Sequence, residues 1–468
     1  MIKKLARSVF CEVIDMQKNN VNMLSGPITK GLLLISIPIM IMSVIQSLFN
    51  IIDMTVLKLF DTDGLAVGAV GVCGTLITLI TSLVSGISAG ANVLVAKSIG
   101  KKDPERTNRA AGTAIAFPVV AGLALAVVGI AGAELFLSWV NCPDALFSRA
   151  VLYFRLYFVG VPLLMVYNFA ASILRANGHP RLIMGISISG SAIKVCFTFF
   201  FVAVCHMGTV GVALATILSW CIYAGLSLAF LLRGDGSVKL CGEHLKLYNP
   251  ELLQILRVGV PTALQMGLYS IANVIISSAV NSFGAQATTG VSIANTFDGI
   301  LYSLSHATSL AIMPYVSQNI GAGNPKRAAN SVWKGVLITV CIGAFFGSLS
   351  AIFSGPLSSI MSDDPVVISY SQQKMIIISS TYFICGINDI LSAALRAMGK
   401  PTFPTVTTLI FMCGLRFIWV YLIFPLVPNL TFLYLVWPIG WSASIICSLF
   451  LYVPTVKKLT KTTTSQFT

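Results

Sequence analysis

The sequence predicts an all-α membrane protein with twelve transmembrane helices in two six-helix lobes, related by pseudo-two-fold symmetry along the membrane normal. The first observation is composition: the 468-residue chain is 56% hydrophobic and only 10% charged, whereas soluble domains carry about 25% charged residues. Secondly, the apolar residues gather into twelve runs, and a helix needs about 20 such residues to cross a bilayer. Thirdly, short phrases recur at an offset of 221 residues.

The twelve apolar runs are long and continuously apolar, which favours helices over the shorter, alternating strands of a membrane barrel. We number them span 1 to span 12 in chain order. They cover residues 30–57, 65–93, 109–138, 149–173, 182–205, 209–232, 252–280, 287–316, 332–356, 366–393, 402–426 and 430–454.

The repeats indicate a duplicated chain. Phrases in corresponding loops and spans match in order, and six spans per copy keep both copies in the same orientation. The matches are LRANGHP at 174–180 with LRAMGKP at 395–401, and IGKKDPERTNRAA at 99–111 with IGAGNPKRAANSV at 320–332; in addition, Pro38 and Asn50 match Pro261 and Asn273 at an offset of 223. The predicted segments are a cytoplasmic N-terminal segment (1–28), an N-lobe (29–232), a cytoplasmic linker (233–251), a C-lobe (252–455) and a cytoplasmic tail (456–468).

The two LRA phrases are interpreted as equivalent loops. Gly178 and Gly399 permit the tight turn that each loop requires, because glycine adopts left-handed backbone conformations without steric cost. Arg175 and Arg396 are expected to anchor at phosphate headgroups. We therefore assign these loops a hinge role and no chemistry.

The net charge of +14 is explained by membrane topology. Most Lys and Arg residues lie in the termini and in alternate loops, such as 97–109, 233–257 and 326–334. This is the distribution of the positive-inside rule. It predicts a multi-pass protein of the plasma (inner) membrane with both termini in the cytoplasm, and it argues against nucleic acid as a partner.

Motifs for catalysis or metal binding were not found in the sequence. The eleven Cys residues include no CxxC pair and are interpreted as small buried hydrophobes, and the four His residues show no ligand spacing. We expect no enzyme activity, no metal site and no cofactor. A membrane enzyme and a channel are the less favoured alternatives, because neither a catalytic set nor a filter-like loop is found.

Several segments in order resemble one family over about residues 22–455. They are MLSGPITKGLLLISIPIMIMSVIQSLFNIID, the Gly-rich span 2, GVALAT at 211–216, VSQNIGAGNPKRA and LRAMGKP. Together they are similar to the multidrug and toxic compound extrusion (MATE) family. The resemblance implies two six-helix lobes, a central cavity, and export of small molecules, typically amphipathic organic cations, in exchange for H⁺ or Na⁺. It also suggests a monomer.

Ionisable residues inside apolar spans are candidate functional residues, because each is costly there unless it is paired or wet. Asp53 on span 1 occupies the place at which one branch of the family carries its coupling acid. That branch usually completes a cation site with an Asn and an Asp on span 5, where this chain has Lys194 and Thr198. The lysine argues against Na⁺ and predicts an Asp53–Lys194 ion pair. We place Asn50 with these coupling residues; H⁺ is favoured and Na⁺ stays open.

A second branch of the family couples through a Glu on span 7 and an Asp on span 10. Span 7 has no acid here, and Asp389 on span 10 lies near Arg396, so we interpret Asp389 as half of a structural salt bridge. Arg155 and Lys374, towards the outer ends of spans 4 and 10, are expected to snorkel, extending their charged groups to the interface.

The remaining polar residues of the spans are assigned to a substrate cavity. On span 8, Asp298, Tyr302, Ser305 and His306 form a polar stripe at helical spacing, which must face protein or water, and Asn295 lies beside it. Asp298 is expected to attract a cationic group; hydrogen bonding between helices is the alternative. The full predicted set is Gln46, Gln265, Tyr269, Asn273, Asn295, Asp298, Tyr302, His306 and Arg416.

The runner-up function is a flippase for lipid-linked or anionic substrates with a related two-lobed architecture. Lys194 and Arg416 lie at repeat positions within one residue of each other, and two basic residues could favour an anion. A shared structural or cavity-lining role for the two bases is also expected.

Overall fold

All twelve predicted spans are helical in the computed structural model, which describes residues 21–60, 65–140, 142–234, 238–240 and 242–464. The predicted terminal segments lie partly outside the described residues. The main helices of spans 1 to 6 are Ile28–Phe60, Leu65–Gly100, Pro104–Ala131, Asp144–Ala176, Pro180–Phe199 and Gly208–Arg233. Those of spans 7 to 12 are Asn249–Asn281, Ala285–Gly321, Pro325–Ile352, the pair Pro365–Ser380 and Tyr382–Ala397, Thr402–Thr408 with its continuation, and Val436–Thr464.

Span 8 is the least apolar of the twelve. Ten helices of the described chain are long and apolar enough to cross a membrane, and span 10, bent by 47° between its two helices, makes an eleventh. The helix Ala285–Gly321 of span 8 is 37 residues long but is not among them, because its polar stripe lowers its mean hydropathy. Its polar groups therefore need partners in neighbouring helices or water.

The helix of span 11 is irregular along most of its length. After Thr402–Thr408 it continues as the π-helix Leu409–Gly414, one α-helical turn at Leu415–Ile418 and the π-helix Trp419–Ile423. Span 5 has one such segment, Phe200–Val204, at its end. Because π-helical turns are rare and frequently occur at functional sites, span 11 is the most unusual helix of the fold.

Two proline-initiated helices carry aspartate caps. Asp103 Oδ1 accepts the backbone N–H of Arg106 at 3.0 Å before span 3, and Asp364 Oδ1 accepts that of Val366 at 2.9 Å before span 10. Such caps satisfy backbone donors that have no partner within the helix. The hydrogen bond from Val366, together with one from Gln286, holds the pKa of Asp364 below its ordinary value.

The chain divides into two compact units. Of the residues that the structure describes, the first unit contains Val21 and those of 41–259, and the second contains those of 22–40 and 260–464. The predicted lobe boundaries differ from these: the first third of span 1 packs with the second unit, and the first third of span 7 packs with the first. The two crossings lie near Pro38 and Pro261, which are repeat-equivalent residues.

A repeated arginine holds the start of span 1 within the second unit. Arg327 Nη2 donates to the carbonyls of Ser25 and Gly26 at 2.9 and 3.0 Å and to the Tyr315 hydroxyl at 2.9 Å. Its Nε donates to the Met23 carbonyl at 3.3 Å. Four oxygens on one guanidinium fix the chain before span 1 at the beginning of span 9.

The equivalent arginine of the first copy makes a similar, weaker contact. Arg106 lies at the beginning of span 3, and its Nη2 donates to Gln254 Oε1 near the start of span 7 at 3.2 Å. Both copies thus use the arginine of the repeated phrase to hold the start of a first helix. This gives the repeat at 99–111 and 320–332 a structural reason.

The two LRA loops have the same backbone geometry. Gly178 and Gly399 have φ angles of +83° and +78°, which confirms the predicted glycine turns. The expected headgroup anchoring is wrong for Arg396, because that side chain is buried with 7% exposure. Arg175 is half-buried and donates to Ser172 Oγ at 2.8 Å. Both side chains fold back onto their own lobe.

Gly399→Ala is expected to lower the stability of the protein by about 1–2 kcal/mol, which is the cost of placing an L-residue with a Cβ in a left-handed backbone conformation. A Cβ at residue 399 would meet open space, so backbone strain is the sole cost. Gly225→Ala is the matched control, because Gly225 also faces open space but lies in a helix, where alanine is favoured. Thermal unfolding in detergent should show a lower Tm for the first variant only; equal Tm values would contradict this.

Candidate functional site

An ion pair between a buried acid and a half-buried lysine lies in the first unit. Lys194 Nζ on span 5 is 2.5 Å from Asp53 Oδ2 on span 1. Asp53 is buried with 4% exposure, and its Oδ1 has no hydrogen-bond partner among the described residues. The two residues that the sequence pairs are therefore in contact, and each charge has the other as its compensation.

Span 5 presents a polar face to its neighbours around this pair. Ser187 and Ser191, two turns and one turn before Lys194, hydrogen-bond the hydroxyls of Tyr167 at 2.6 Å and Tyr223 at 2.7 Å. Thr198, one turn after Lys194, is fully buried, and its Oγ1 has no partner in the described part of the chain. The face therefore holds one orphaned hydroxyl beside the ion pair.

The other two predicted residues of span 1 are more open than Asp53. Asn50 is exposed, about one turn before the acid, and Gln46 is half-buried a further turn away. Neither is brought into the ion pair. An exposed amide on a membrane helix needs water or protein around it rather than lipid.

A second buried ion pair lies in the second unit and corrects two expectations. Lys374 Nζ is 3.0 Å from Asp298 Oδ2 and also donates to Asn295 Oδ1. Lys374 does not snorkel, because it is 3% exposed and turned towards span 8. Asp298 is already neutralised, so attraction of a substrate cation by its free carboxylate is wrong for this structure, and the hydrogen-bonding alternative describes the stripe.

The same stripe continues into a histidine-centred cluster. His306 Nδ1 lies 3.1 Å from Asp389 Oδ2, 3.2 Å from Ser309 Oγ and 3.4 Å from the Tyr302 hydroxyl. The Tyr302 and His306 rings stack at 5.2 Å. Asp389 contacts His306 rather than Arg396, the expected partner. Arg396 still interacts with Asp389 electrostatically.

Arg416 is the most deeply buried cation of the second unit. It is 2% exposed, and its Nη1 donates to Asn273 Oδ1 on span 7 at 2.8 Å. The guanidinium lies over the Trp437 ring, 4.9 Å from the ring centroid. Lys374 Nζ lies 5.9 Å from the centroid of the same ring.

The last two predicted cavity residues bond to neighbouring helices. Gln265 Nε2 donates to Thr408 Oγ1 at 3.0 Å, and Tyr269 accepts Asn388 Nδ2 at 3.2 Å. Gln265 is buried and Tyr269 half-buried. Both therefore contribute to packing between span 7 and spans 10 and 11.

Lys374 and Trp437 are the important residues that sequence reasoning missed. The signal for Lys374 was present, because a lysine within span 10 needs a carboxylate and span 8 offers one. Trp437 gave no signal, since an aromatic residue in an apolar run is ordinary. Arg155, also expected to snorkel, is partly exposed and pairs with Glu134 at 2.8 Å.

The described residues include no group of three or more His, Cys, Asp or Glu that could hold a metal ion. Nine cysteines are described as free thiols, and only Cys73 and Cys385 among them are buried. The expectation that most cysteines are buried is therefore wrong for the described residues; the exposed ones lie in or next to apolar spans.

Comparison with known proteins finds relatives that are named as transport or drug-resistance proteins. The chain is 25% identical over 401 residues to a probable multidrug resistance protein, YoeA, of Bacillus subtilis, covering 83% of this chain and 85% of that protein. It is 23% identical to an FAD transporter of Shewanella oneidensis, covering 84% and 87% of the two chains. The matches span nearly the whole length of both.

Solved structures share the fold. An outward-facing multidrug resistance MATE family transporter of the MOP superfamily superposes with a TM-score of 0.87 at 19% identity, covering 95% of this chain and 99% of that one. A MOP superfamily transporter from Pyrococcus furiosus, described as having a binding pocket of reverse polarity, gives 0.86 at 19% identity over 94% and 99%.

The MatE family model matches residues 38–200 and again residues 261–422. The two matches begin at Pro38 and Pro261, the residues that the sequence pairs as repeats. They cover more than half of the chain and extend into both predicted lobes. The chain therefore belongs to the MatE family, the multidrug and toxic compound extrusion family of membrane transporters that its motifs resemble.

Proposed function

We propose that this protein is a secondary active efflux antiporter that exports amphipathic organic compounds in exchange for protons by alternating access. The observation that carries the proposal is the buried contact between Asp53 and Lys194 in the first unit. It supplies one carboxylate as the proton-binding group, and a lysine partner whose position depends on whether that proton is bound.

Protonation of Asp53 removes the negative charge that compensates Lys194. An uncompensated buried ammonium costs several kcal/mol, so the packing of span 1 against span 5 changes when the proton binds. Deprotonation restores the attraction. Proton binding thereby shifts the equilibrium between two arrangements of the first unit. Coupling of proton movement to export requires such a shift.

The same contact supports protons over sodium. Na⁺, a hard cation, would need several oxygen ligands, as hard cations in proteins do. Here one Asp53 oxygen already contacts the Lys194 ammonium, and the span 5 positions of the family's sodium branch hold Lys194 and Thr198. A second cation would be repelled by the lysine.

The energy for export comes from the inward movement of the proton. A membrane potential contributes about 2.3 kcal/mol per charge per 100 mV, and each unit of pH difference adds about 1.4 kcal/mol. With one proton per cycle, both contributions drive export of a neutral compound, whereas exchange for a singly charged cation moves no net charge and is driven by the pH difference alone. We propose one proton per cycle through Asp53.

For substrates, we propose amphipathic organic compounds, with organic cations tested first because the family resemblance implies them. Relatives are named both for multidrug resistance and for FAD transport, so we do not restrict the proposal to cations. The neutralised Asp298 offers no extra attraction for a cation in the second unit.

We further propose that the protein lies in the plasma membrane as a monomer with both termini in the cytoplasm. The positive charge of the termini and alternate loops supports this orientation. One chain carries both copies of the repeat, so a second chain is not needed to complete the duplicated architecture.

Dye efflux from proteoliposomes tests the coupling ion directly. We expect a proton gradient alone to drive export of a fluorescent cationic dye, and a sodium gradient alone at equal membrane potential to leave export at the level of protein-free vesicles. Export driven only by sodium would overturn the proposed role of Lys194. Export of no dye under either gradient would overturn the cation substrate class.

A further inference from the structure

Arg416 is a buried charge without a carboxylate. Its contacts are the neutral Asn273 amide and the face of Trp437. No carboxylate of the described residues lies within ion-pair distance of it, whereas Lys194 and Lys374 each contact one. A guanidinium keeps its proton in proteins, so Arg416 cannot neutralise itself and remains a positive charge.

The internal repeat shows what is missing around this arginine. Arg416 occupies the place of Lys194 to within one residue, and Asn273 is equivalent to Asn50. At the same offset of 223, the position of Asp53 is taken by Ile276, which is buried with 4% exposure. The second unit thus has the base of the first unit's ion pair and lacks its acid.

The surroundings of Arg416 are built to hold the side chain in one place. Gly440, three residues after Trp437, approaches span 11 so closely that a Cβ there would lie 2.8 Å from the Phe411 carbonyl. Arg416 itself occupies the single α-helical turn between two π-helical segments. A helix distorted on both sides of a buried cation indicates a site and not passive packing.

The local charge balance is positive. Lys374 faces the same indole ring but is already paired with Asp298, so the group formed by Asp298, Lys374 and Arg416 carries one uncompensated positive charge. Asn273 is exposed, so a ligand can approach the Arg416 guanidinium from the side of Asn273. Its amide N–H₂ group is a donor for the same ligand atoms, since its oxygen accepts from Arg416.

We propose that Arg416 and Asn273 bind the anionic group (carboxylate, sulfonate or phosphate) of an amphipathic organic molecule in the second unit. The planar guanidinium matches two oxygens of such a group. The ligand supplies the counter-charge that Asp53 supplies in the first unit. Calling this ligand a transported substrate rests on the proposed function; the binding site itself does not.

Two probes with the same aromatic body and opposite charge test the site. Wild-type protein in detergent is titrated with 1-pyrenebutyrate and with a pyrenylbutyl-trimethylammonium salt, and fluorescence anisotropy reports binding without any gradient. We expect Arg416→Gln to weaken pyrenebutyrate binding by about 10- to 100-fold, the range of a lost charge-assisted contact, and to leave the cationic probe unaffected. Arg155→Gln, the same change at a surface pair, is the matched control.

Two further variants keep the test decisive if Arg416→Gln does not fold. Arg416→Lys retains the charge without the planar fork and should bind the anion several-fold more weakly. Ile276→Asp introduces the acid of the first unit at the equivalent position and should abolish anion binding by occupying Arg416. Unchanged pyrenebutyrate binding in folded Arg416 and Ile276 variants would overturn the proposal.

A lipid headgroup is the other source of the same chemistry. Nanodiscs of phosphatidylcholine, with and without phosphatidylglycerol, distinguish the two. Loss of pyrenebutyrate binding only with phosphatidylglycerol present would assign Arg416 to an anionic lipid, and retained binding would assign it to a soluble amphipathic anion. Because no gradient is used, failure of proton-driven efflux would leave this result intact.

Discussion

Asp53→Asn is expected to abolish proton-driven efflux and leave the protein folded in the membrane. The amide has nearly the same shape as the carboxylate but cannot take up a proton at any working pH. The amide oxygen can still accept a hydrogen bond from Lys194, yet that contact no longer depends on protonation. Efflux of dye from proteoliposomes under an imposed pH gradient is the measurement.

Stability is the competing explanation for a loss of efflux, because removing one partner of a buried pair costs about 3–5 kcal/mol. The double variant Asp53→Asn with Lys194→Gln removes both charges and should recover thermal stability without recovering efflux. Asp144→Asn, at the exposed start of span 4, is the control for the substitution itself. Wild-type efflux in the Asp53 variant would exclude this residue as the coupling group.

Lys374→Met is expected to lower the stability of the protein strongly. The substitution replaces lysine with an unbranched apolar side chain that is one atom shorter, and it leaves Asp298 buried without its counter-charge. Breaking such a pair costs about 3–5 kcal/mol, and Asn295 also loses its donor. Thermal unfolding in detergent should show a Tm lower by several degrees.

The comparison with Arg155 isolates the effect of burial. Arg155→Met breaks an ion pair with Glu134 at 2.8 Å that is largely exposed, and exposed pairs contribute only about 0–1 kcal/mol. Asp298→Asn combined with Lys374→Met should recover most of the loss, because no buried charge is then uncompensated. A small loss in Lys374→Met, equal to that of Arg155→Met, would mean that Lys374 reaches water in the membrane.

The twelve spans and the duplication could be read from the sequence because both are local or periodic properties. Hydropathy over about 20 residues defines a span without reference to its neighbours, and the repeated phrases need only a constant offset. Gly178 and Gly399 were predictable for the same reason, since a left-handed turn is encoded in a few consecutive residues. The family followed from the order of such segments.

The Asp53–Lys194 contact was predictable for a different reason. Asp53 is the one acid of spans 1 and 5, Lys194 is the one base away from the ends of these spans, and a buried charge requires an opposite one. The same argument applied to Asp298 would have found Lys374, but a lysine near the end of a span can also reach the interface. Only the bend of span 10 and the packing of its helices decide between these two outcomes.

Other partners were decided by the tertiary structure alone. Asp389 bonds His306 rather than Arg396, and Arg416 lies against Trp437, although no sequence pattern connects the members of either pair. The members of each pair lie on different helices, so the rotation of each helix about its axis determines which side chains meet. The sequence therefore determined which charges lie within the spans, and the packing of helices determined that Lys194 and Lys374 each contact an acid whereas Arg416 does not.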